Sequence, residues 1–437
     1  MEWWVVLSFF IGGLVFLFLM GFPIAIAFFL MDFICIFLFM GNTGLEMLNL
    51  QIFSSLSTFV IAPIPLFIFM GELMFHSNLA YEAIDVLDRL MGRLPGRLSL
   101  LAAVSGTLFA ATSGSTMANT AMLGTVLLPE MRKRNYSIYM SVGPIIGVGG
   151  LAMLIPPSAL AVILASLAQV SVGGLLVAGV IPGIILGAMF FSYIILHAYL
   201  RPQDAPPYET EPSPLMKKIK LTAKYLLPVG FIIFMVLGLI ILGIATPTES
   251  AASGVVATML VSLLFRRFNW KMLKASLTGT LEVTVMVFMI IAASKTFTAV
   301  LSFTGASGGL VSTVEGLHVH PILILLTMQL IIGVMGCFMD PISIMMITLP
   351  VFMPIAGLLE FDPIWFCVLM LINLEMGQMS PPFGILIFIM LGVTPKDVTY
   401  EKIAVACIPY MIFDILAMVL IIIWPQIALW LPKVAGE

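Results

Sequence analysis

The chain has 437 residues, of which 61% are hydrophobic and 9% charged, with a mean hydropathy of +1.17 and a formal net charge of −3. This composition excludes an ordinary soluble globular protein, and a chain without a basic face is not expected to bind nucleic acid. Apolar runs of about 20 residues recur from end to end, and a run of that length crosses a bilayer as a helix. The sequence therefore predicts an all-α polytopic membrane protein.

The lysines and arginines predict how the chain is oriented in the membrane. Because positive charge marks cytoplasmic loops, all five of their groups are expected on the cytoplasmic side and both termini on the periplasmic side. Only Lys295, inside a span, and Lys433, near the C-terminus, lie outside these groups. The groups are Arg89, Arg93 and Arg97; Arg132, Lys133 and Arg134; Arg201, Lys217, Lys218, Lys220 and Lys224; Arg266, Arg267, Lys271 and Lys274; and Lys396 and Lys402.

The first two basic groups predict a re-entrant hairpin over 98–131. Between Arg97 and Arg132 lie 34 residues without a lysine or arginine, yet both ends are expected in the cytoplasm. One span would end on the opposite side, and two full spans need about 40 residues and a turn. Two half-helices of about 15 residues each fit within this length and return the chain to the side from which it entered. Their turn is expected at Ser113-Gly114-Ser115-Thr116, a small and polar sequence suited to an intramembrane tip.

Two double prolines predict two broken helices, over 137–167 and 363–393. Ile155-Pro156-Pro157 and Ser380-Pro381-Pro382 lie at equivalent positions, since 380 − 155 = 225. Proline lacks an amide donor and clashes with the preceding turn, so each pair interrupts a helix. Such an interruption survives in a membrane only where protein or a watery cavity satisfies the freed backbone. Paired interruptions in two halves are typical of a transporter's binding site.

A second hairpin is expected over 321–358, with its break at residues 336–343. Its flanks carry no lysine or arginine, so it is predicted to enter from the periplasmic side. One hairpin is flanked by basic residues and the other is not, which indicates inverted repeats rather than parallel ones. The predicted organisation is a first repeat at 1–200, a cytoplasmic linker at 201–221 and a second repeat at 222–430, each repeat with one re-entrant helical hairpin and one discontinuous helix.

At several motifs the sequence resembles the large membrane subunit of the tripartite ATP-independent periplasmic (TRAP) transporters. The resemblance covers nearly the whole chain, and the order and spacing of the motifs make it specific. The motifs are Gly92-Arg93-Leu94-Pro95-Gly96, Ser113-Gly114-Ser115, Leu128-Pro129-Glu130-Met131, Gly149-Gly150, Ile155-Pro156-Pro157-Ser158, Ala178-Gly179-Val180-Ile181-Pro182-Gly183, Thr246-Pro247-Thr248-Glu249, Glu375-Met376-Gly377 and Pro381-Pro382-Phe383-Gly384.

This resemblance implies a permease of the bacterial inner membrane and not an enzyme. It implies sodium-driven import of a small organic anion that a soluble periplasmic binding protein delivers, with Na⁺ as coupling ion and no other cofactor. A small four-helix membrane subunit is the implied partner. The resemblance also implies an elevator motion, in which a transport domain formed by 98–167 and 321–393 moves against a scaffold.

The expected sodium ligands lie at the hairpin tips and helix breaks, where unwound carbonyls, hydroxyls and amides supply the oxygens that a hard cation prefers. Asp340 is the counterpart of Ser115 and the sharpest candidate, because a carboxylate inside a membrane is costly. For the polar tip residues the alternative is helix capping, and for Glu375 it is hydrogen bonding to exposed amides. The candidates are Ser113, Ser115, Asn119, Gly150 and Pro156 in the first half, and Gly336, Asp340, Glu375 and Met379 in the second.

The organic anion is expected between the two tips, facing the N-termini of half-helices. No arginine lies in either hairpin or broken span, so hydroxyl groups are expected to hold the anion. Lys295 either contacts the anion or turns outward to pair elsewhere. The candidates for substrate binding are Ser113, Ser115, Ser158, Ser343, Ser380 and Lys295.

Two other functions remain as alternatives. One is a stand-alone sodium-coupled anion carrier from a related elevator family. The other is a membrane enzyme that uses Asp340 and Glu375 as acid and base; their counterparts Ser115 and Gly150 do not ionise, which argues against it. The sequence does not name the cargo, and dicarboxylates, sialic acids, sulfonates and keto acids all suit a site built from hydroxyls and amides.

Overall fold

The computed structural model describes residues 2–77, 84, 86–88, 90–91, 94–113, 115–207, 215–316, 319–395 and 397–436, and every regular element in them is helical. The all-α prediction is confirmed. Seven helices in this part of the chain are long and apolar enough to cross a membrane.

The helices of the first half end with the long helix α9. They are α1 (Trp3–Leu19), α2 (Ile24–Phe39), α3 (Asn42–Leu56), α4 (Pro63–His76), α5 (Arg97–Ser113), α6 (Thr116–Lys133), α7 (Ile138–Gly150), α8 (Ala159–Ala168) and α9 (Val172–Leu200).

The second half begins with α10, a helix over 215–241 that contains two π-helical turns, Thr222–Leu226 and Phe234–Gly238. Its first residues fall within the stretch predicted as the linker. The other helices are α11 (Pro247–Leu264), α12 (Trp270–Phe303), α13 (Ala306–Gly316), α14 (Pro321–Gly336), α15 (Pro341–Leu358), α16 (Pro363–Gln378), α17 (Ile385–Val393), α18 (Tyr400–Ile423) and α19 (Gln426–Ala435).

The two halves repeat the same order of hairpin, broken helix and long helix. Helix α6 spans 116–133 and α15 spans 341–358, so both ends of the pair are related by 341 − 116 = 225. The same offset relates the starts of α7 and α16, at Ile138 and Pro363. The chain thus consists of two structural repeats, each with a hairpin and a discontinuous helix.

The first hairpin turns back on itself rather than continuing as one rod. Its arms are α5 and α6, with 17 and 18 residues, which are longer than the 15 or so expected. The arms pack against each other, and the Asn119 side-chain amide donates a hydrogen bond to the carbonyl of Gly106 at 3.0 Å. This hydrogen bond joins the arms one turn below the tip.

Prolines and short polar side chains determine where the half-helices start. Pro341 and Pro363 occupy the first helical positions of α15 and α16, where a missing amide costs nothing. Ser158 accepts a hydrogen bond from the amide of Ala161 at 3.2 Å and so caps α8 just after the first double proline. The double prolines therefore sit in the gaps between capped helices.

The remaining helices form a framework around the hairpins and broken helices. Helix α4 packs against α11 and α12, and the ring of Phe297 on α12 stacks on Phe10 of α1 with centroids 4.2 Å apart. The first half carries a break between α3 and α4, whereas α12 runs straight for 34 residues. Beside the broken helices, α18 packs against α7 and α9.

Candidate functional site

Equivalent residues of the two broken helices meet at the centre of the molecule. The side-chain amide of Gln378 donates to the sulfur of Met153 at 3.8 Å, and these residues are 225 positions apart. Gly150 and Glu375, related by the same offset, are also neighbours, because a Cβ on Gly150 would overlap the Glu375 side chain. The pseudo-twofold axis that relates the repeats therefore passes between the two breaks.

The tip of the first hairpin reaches this centre. The hydroxyl of Thr116 donates to the Gln378 side-chain oxygen at 2.9 Å, and both residues are buried. Ser115 caps α6 by accepting a hydrogen bond from the amide of Ala118 at 3.3 Å. The side chain of Ser113 and the whole of Gly114 lie outside the described residues. The first tip is thus joined to the second break.

The second hairpin approaches the same break through its backbone, and the rings of Phe338 and Phe383 also lie 5.6 Å apart there. A Cβ on Gly336 would lie 2.7 Å from the Cα of Gly377, and a Cβ on Gly377 would lie equally close to Gly336. Two backbones approach this closely only where both residues are glycine. Gly336, predicted as a sodium ligand, therefore holds α14 against α16 through close packing.

Asp340 caps the returning arm of the second hairpin. Its carboxylate accepts hydrogen bonds from the amides of Ile342 at 3.0 Å and Ser343 at 3.1 Å, and the Ser343 hydroxyl donates to it as well. Capping, the alternative weighed for this residue, is the geometry that the structure shows. The hydroxyl of Ser343, predicted to contact the substrate, is committed to this carboxylate. These three donors leave one of the roughly four lone-pair sites of the carboxylate, on Oδ1, for a cation.

The first hairpin offers buried oxygens without a hydrogen-bond partner in the part of the chain that the structure describes. They are the side-chain oxygen of Asn119 and the hydroxyl of Thr120, and both residues are buried. Thr120 lies against Gly149, at the end of α7, where helical carbonyls lose their amide partners. An unsatisfied buried oxygen is costly, and a hard cation such as Na⁺ satisfies several at once. These residues fit a sodium ion.

Glu375 brings a carboxylate to the pseudo-twofold axis. Its side chain is fully buried, and neither oxygen has a hydrogen-bond partner among the described residues. Asp414 on α18 is equally buried and close enough to interact electrostatically with it. The expected alternative, in which Glu375 holds exposed backbone amides, is therefore not the arrangement seen.

The other candidates at the breaks differ in their surroundings. The Ser158 hydroxyl caps α8, whereas the hydrogen-bond partner of the Ser380 hydroxyl among the described residues is the sulfur of Met411, at 4.0 Å. Ser380 lines a cavity of about 370 Å³ between α14, α16 and α18. Pro156 and Pro381 each precede a cis peptide bond, and Met379 is fully buried beside the second break.

Three residues of this centre were missed by reasoning from the sequence: Thr116, Thr120 and Gln378. Thr116 and Thr120 lie one helical turn apart on α6, with the Thr116 hydroxyl on Gln378 at the second break and Thr120 against Gly149 at the first. A signal for Gln378 was present, since it lies between the candidates Glu375 and Met379 and matches Met153 at the repeat offset. Polarity inside an apolar helix next to a predicted break is the pattern that identifies all three.

Lys295 lies in a different place from the other candidates. It lines a cavity of about 1190 Å³ whose walls include none of the residues predicted at the tips and breaks. The structure thus brings the tip and break candidates together and leaves Lys295 apart from them.

Comparisons with known proteins place this arrangement among transporters. The family described as "Tripartite ATP-independent periplasmic transporter, DctM component" matches residues 11–427. The ectoine TRAP transporter large permease protein TeaC of Halomonas elongata is 30% identical over 422 residues, which cover 96% of this chain and 97% of TeaC. The C4-dicarboxylate TRAP transporter large permease protein DctM of Pseudomonas aeruginosa is 30% identical over 392 residues, covering 89% and 90%.

A solved structure shares the fold. The crystal structure of the Alcanivorax borkumensis YdaH transporter, described as having an unusual topology, matches with a TM-score of 0.68 over 89% of this chain and 90% of that one. The sequences are 14% identical, so the likeness extends to the fold alone.

Proposed function

We propose a function from one premise: this chain belongs to the DctM component family of the tripartite ATP-independent periplasmic transporters. It is a large permease subunit and a multi-pass membrane protein. The finer proposal is that it imports a small organic anion in symport with Na⁺, after a periplasmic binding protein delivers the anion. A small four-helix membrane subunit is the proposed second partner, and both termini are proposed to lie on the periplasmic side.

One observation supports the sodium coupling: the buried oxygens of Asn119 and Thr120 have no hydrogen-bond partner among the described residues, and that of Thr120 lies against Gly149 at the end of α7. A sodium ion there would join the first hairpin to the first broken helix. Thr116 then links that hairpin to Gln378 on the second broken helix. Cation binding in the first half would therefore also stabilise the contact with the second broken helix. Coupling requires that one ligand changes the affinity for another in this way.

The proposed anion site lies between the tips, at the starts of half-helices. Helices α6, α8 and α15 begin at Ser115, Ser158 and Asp340, and each N-terminus presents the positive end of a helix dipole. Ser380, whose hydroxyl has no oxygen or nitrogen partner among the described residues, is the proposed side-chain donor. The sodium ions offset the negative charge of Asp340 and of the anion.

Alternating access is proposed to move the hairpins and broken helices together against the framework of α1–α4 and α10–α13. The contacts at Gly336, Gly377, Thr116 and Gln378 lie within the moving group and hold it as one body. A rigid group that carries its site across a fixed framework is the elevator form of alternating access.

Reconstitution into liposomes tests the proposal. The chain, with its small membrane subunit, is expected to take up a radiolabelled anion only with an inward sodium gradient and with the binding protein present. Succinate and ectoine serve as first probes, because C4-dicarboxylates and ectoine are the cargoes named for the relatives above. Potassium in place of sodium is the matched control. Uptake without the binding protein would instead establish the stand-alone carrier.

A further inference from the structure

The cavity of about 1190 Å³ is built where the break between α3 and α4 faces the straight helix α12. Residues of α12 that line it recur at helical spacing, Lys295, Thr298, Ala299 and Ser302, so one continuous face of α12 forms a wall. Hydroxyls and amides from the other walls complete a polar lining: Gln51, Ser54, Ser55, Thr58, Ser166 and Gln169.

Among the described residues that line this cavity, Lys295 carries the one formal charge. Lys295 is half-buried and forms no ion pair within the described part of the chain, and no aspartate or glutamate lines the cavity. The N-terminal residues of α4, α9 and α11 also line it, at Pro63, Val172 and Pro247. The helices α4 and α9 thus add the positive ends of their dipoles to the lysine charge, whereas the N-terminus of α11 is offset by the Glu249 carboxylate, which accepts hydrogen bonds from Thr246. The lining suits an anion and repels a cation.

The cavity lies toward the periplasmic side of the proposed central site. Ser166 is eight residues beyond Ser158 on α8, which corresponds to roughly 12 Å at the rise of an α-helix. Helix α12 begins with the cytoplasmic lysines of its first turns and ends at Phe303, so Thr298 and Ser302 lie at its opposite end. An anion that enters from the periplasm meets this cavity before it meets the tips.

We infer that this cavity is an outer binding site for a small organic anion, with the Lys295 ammonium as partner of a carboxylate or sulfonate. The inference rests on the proposed import function. It adds a second binding site for the same class of cargo, which the anion occupies before it reaches the central site. The side-chain amides of Gln51 and Gln169 and the hydroxyl of Ser302 bind the rest of the molecule. The hydroxyls of Ser54, Ser55, Ser166 and Thr298 already donate to backbone carbonyls. The anion is then released to the central site, which holds no lysine or arginine.

Thiol labelling at Thr298, one helical turn from Lys295, tests this without any need for transport. A Thr298→Cys variant in phosphatidylcholine nanodiscs is treated with an anionic and a cationic methanethiosulfonate reagent, and the two rates are compared. These lipids carry no net charge, so no anionic lipid competes. With Lys295 present the anionic reagent is favoured, and Lys295→Gln is expected to lower the ratio of anionic to cationic rates about tenfold. The parent chain, with its four native cysteines, gives the background.

Two controls make the result specific. Lys433→Gln removes an exposed lysine outside the cavity and is expected to leave the ratio unchanged. Succinate and methanesulfonate are expected to slow labelling when Lys295 is present, whereas neutral succinamide is not. An unchanged ratio in Lys295→Gln, an equal fall in Lys433→Gln, or no protection by either anion overturns the outer site. If the labelling results support the outer site while reconstituted uptake fails, only the proposed import function is overturned.

Discussion

The two hairpins have the same backbone and different chemistry at their tips. Helices α6 and α15 match residue for residue at an offset of 225, and each begins with a capping side chain, Ser115 or Asp340. The polar side chains beyond the cap differ, because Asn119 and Thr120 correspond to Ile344 and Met345. The first tip has neutral oxygens without partners among the described residues, and the second has a carboxylate with three donors.

The two repeats therefore share the positions at which their helices are interrupted, but they do not share the side chains available to bind ligands at those positions. Proline and glycine determine the breaks through backbone geometry, and that geometry is common to both repeats. The ligands come from side chains that changed independently. We therefore expect the two halves to bind cations by different means, and the following changes test that expectation.

The largest effect is expected from Gly377→Val, which acts on the glycine contact of the second hairpin. A Cβ at this position would lie 2.7 Å from the Cα of Gly336, so α14 and α16 must separate. Overpacking of this kind costs about 1–3 kcal/mol and here also displaces the tip. Uptake is expected to fall to background, with a lower melting temperature in detergent. Gly357→Ala, on α15 with open space around it, is the matched control and is expected to behave like the parent.

Asp340 tests whether the second tip needs charge or only a cap. Asp340→Asn keeps a capping oxygen, so stability is expected to stay within about 1 kcal/mol of the parent. Loss of the carboxylate is expected to raise the sodium concentration for half-maximal uptake about tenfold or more. Asp340→Ala loses both roles and is expected to unfold more readily. Equal sodium dependence in the parent and the asparagine variant would assign Asp340 to capping alone.

Thr120→Val tests the first tip with little change of shape. The hydroxyl that it removes has no hydrogen-bond partner among the described residues, so the melting temperature without sodium is expected to stay the same or rise slightly. Sodium is expected to stabilise the parent and to stabilise this variant much less. The comparison of sodium with potassium in a thermal shift assay measures the effect. Thr125→Val, whose exposed hydroxyl bonds back to Ala121 at 2.7 Å on the same helix, is the control.

The sequence predicted the fold better than the site, for a physical reason. Basic residues and double prolines are local signals, and they indicated the hairpin ends and both breaks directly. The contacts of Gln378 with Thr116 and Met153 join residues up to 262 positions apart, and no local pattern predicts such pairs. Likewise, nothing near Lys295 in the sequence shows that the break between α3 and α4 opens a cavity beside it.

The smallest effect is expected from the ion pair that ties the first hairpin to the second repeat at its basic end. Arg132 donates two hydrogen bonds to Asp397, at 2.9 and 2.6 Å, and the positions related to these two by the offset of 225 are Gly357 and Val172, which cannot form an ion pair. The Arg132 guanidinium lowers the pKa of the Asp397 carboxyl below its usual value of about 3.8. The pair therefore favours the folded state above that pH, and its contribution is lost as the pH falls through the lowered pKa.

Arg132→Gln is accordingly expected to lower the melting temperature slightly at neutral pH and low salt. Both side chains are well exposed, so salt screens the pair and the effect is small. The difference from the parent is expected to shrink in molar salt and to vanish at strongly acidic pH, as followed by thermal scans across pH. A difference that persists under both conditions would mean that Arg132 stabilises the hairpin by packing. In that case no ion pair distinguishes the basic end of the first hairpin from the corresponding end of the second, and the two hairpins differ less there than at their tips.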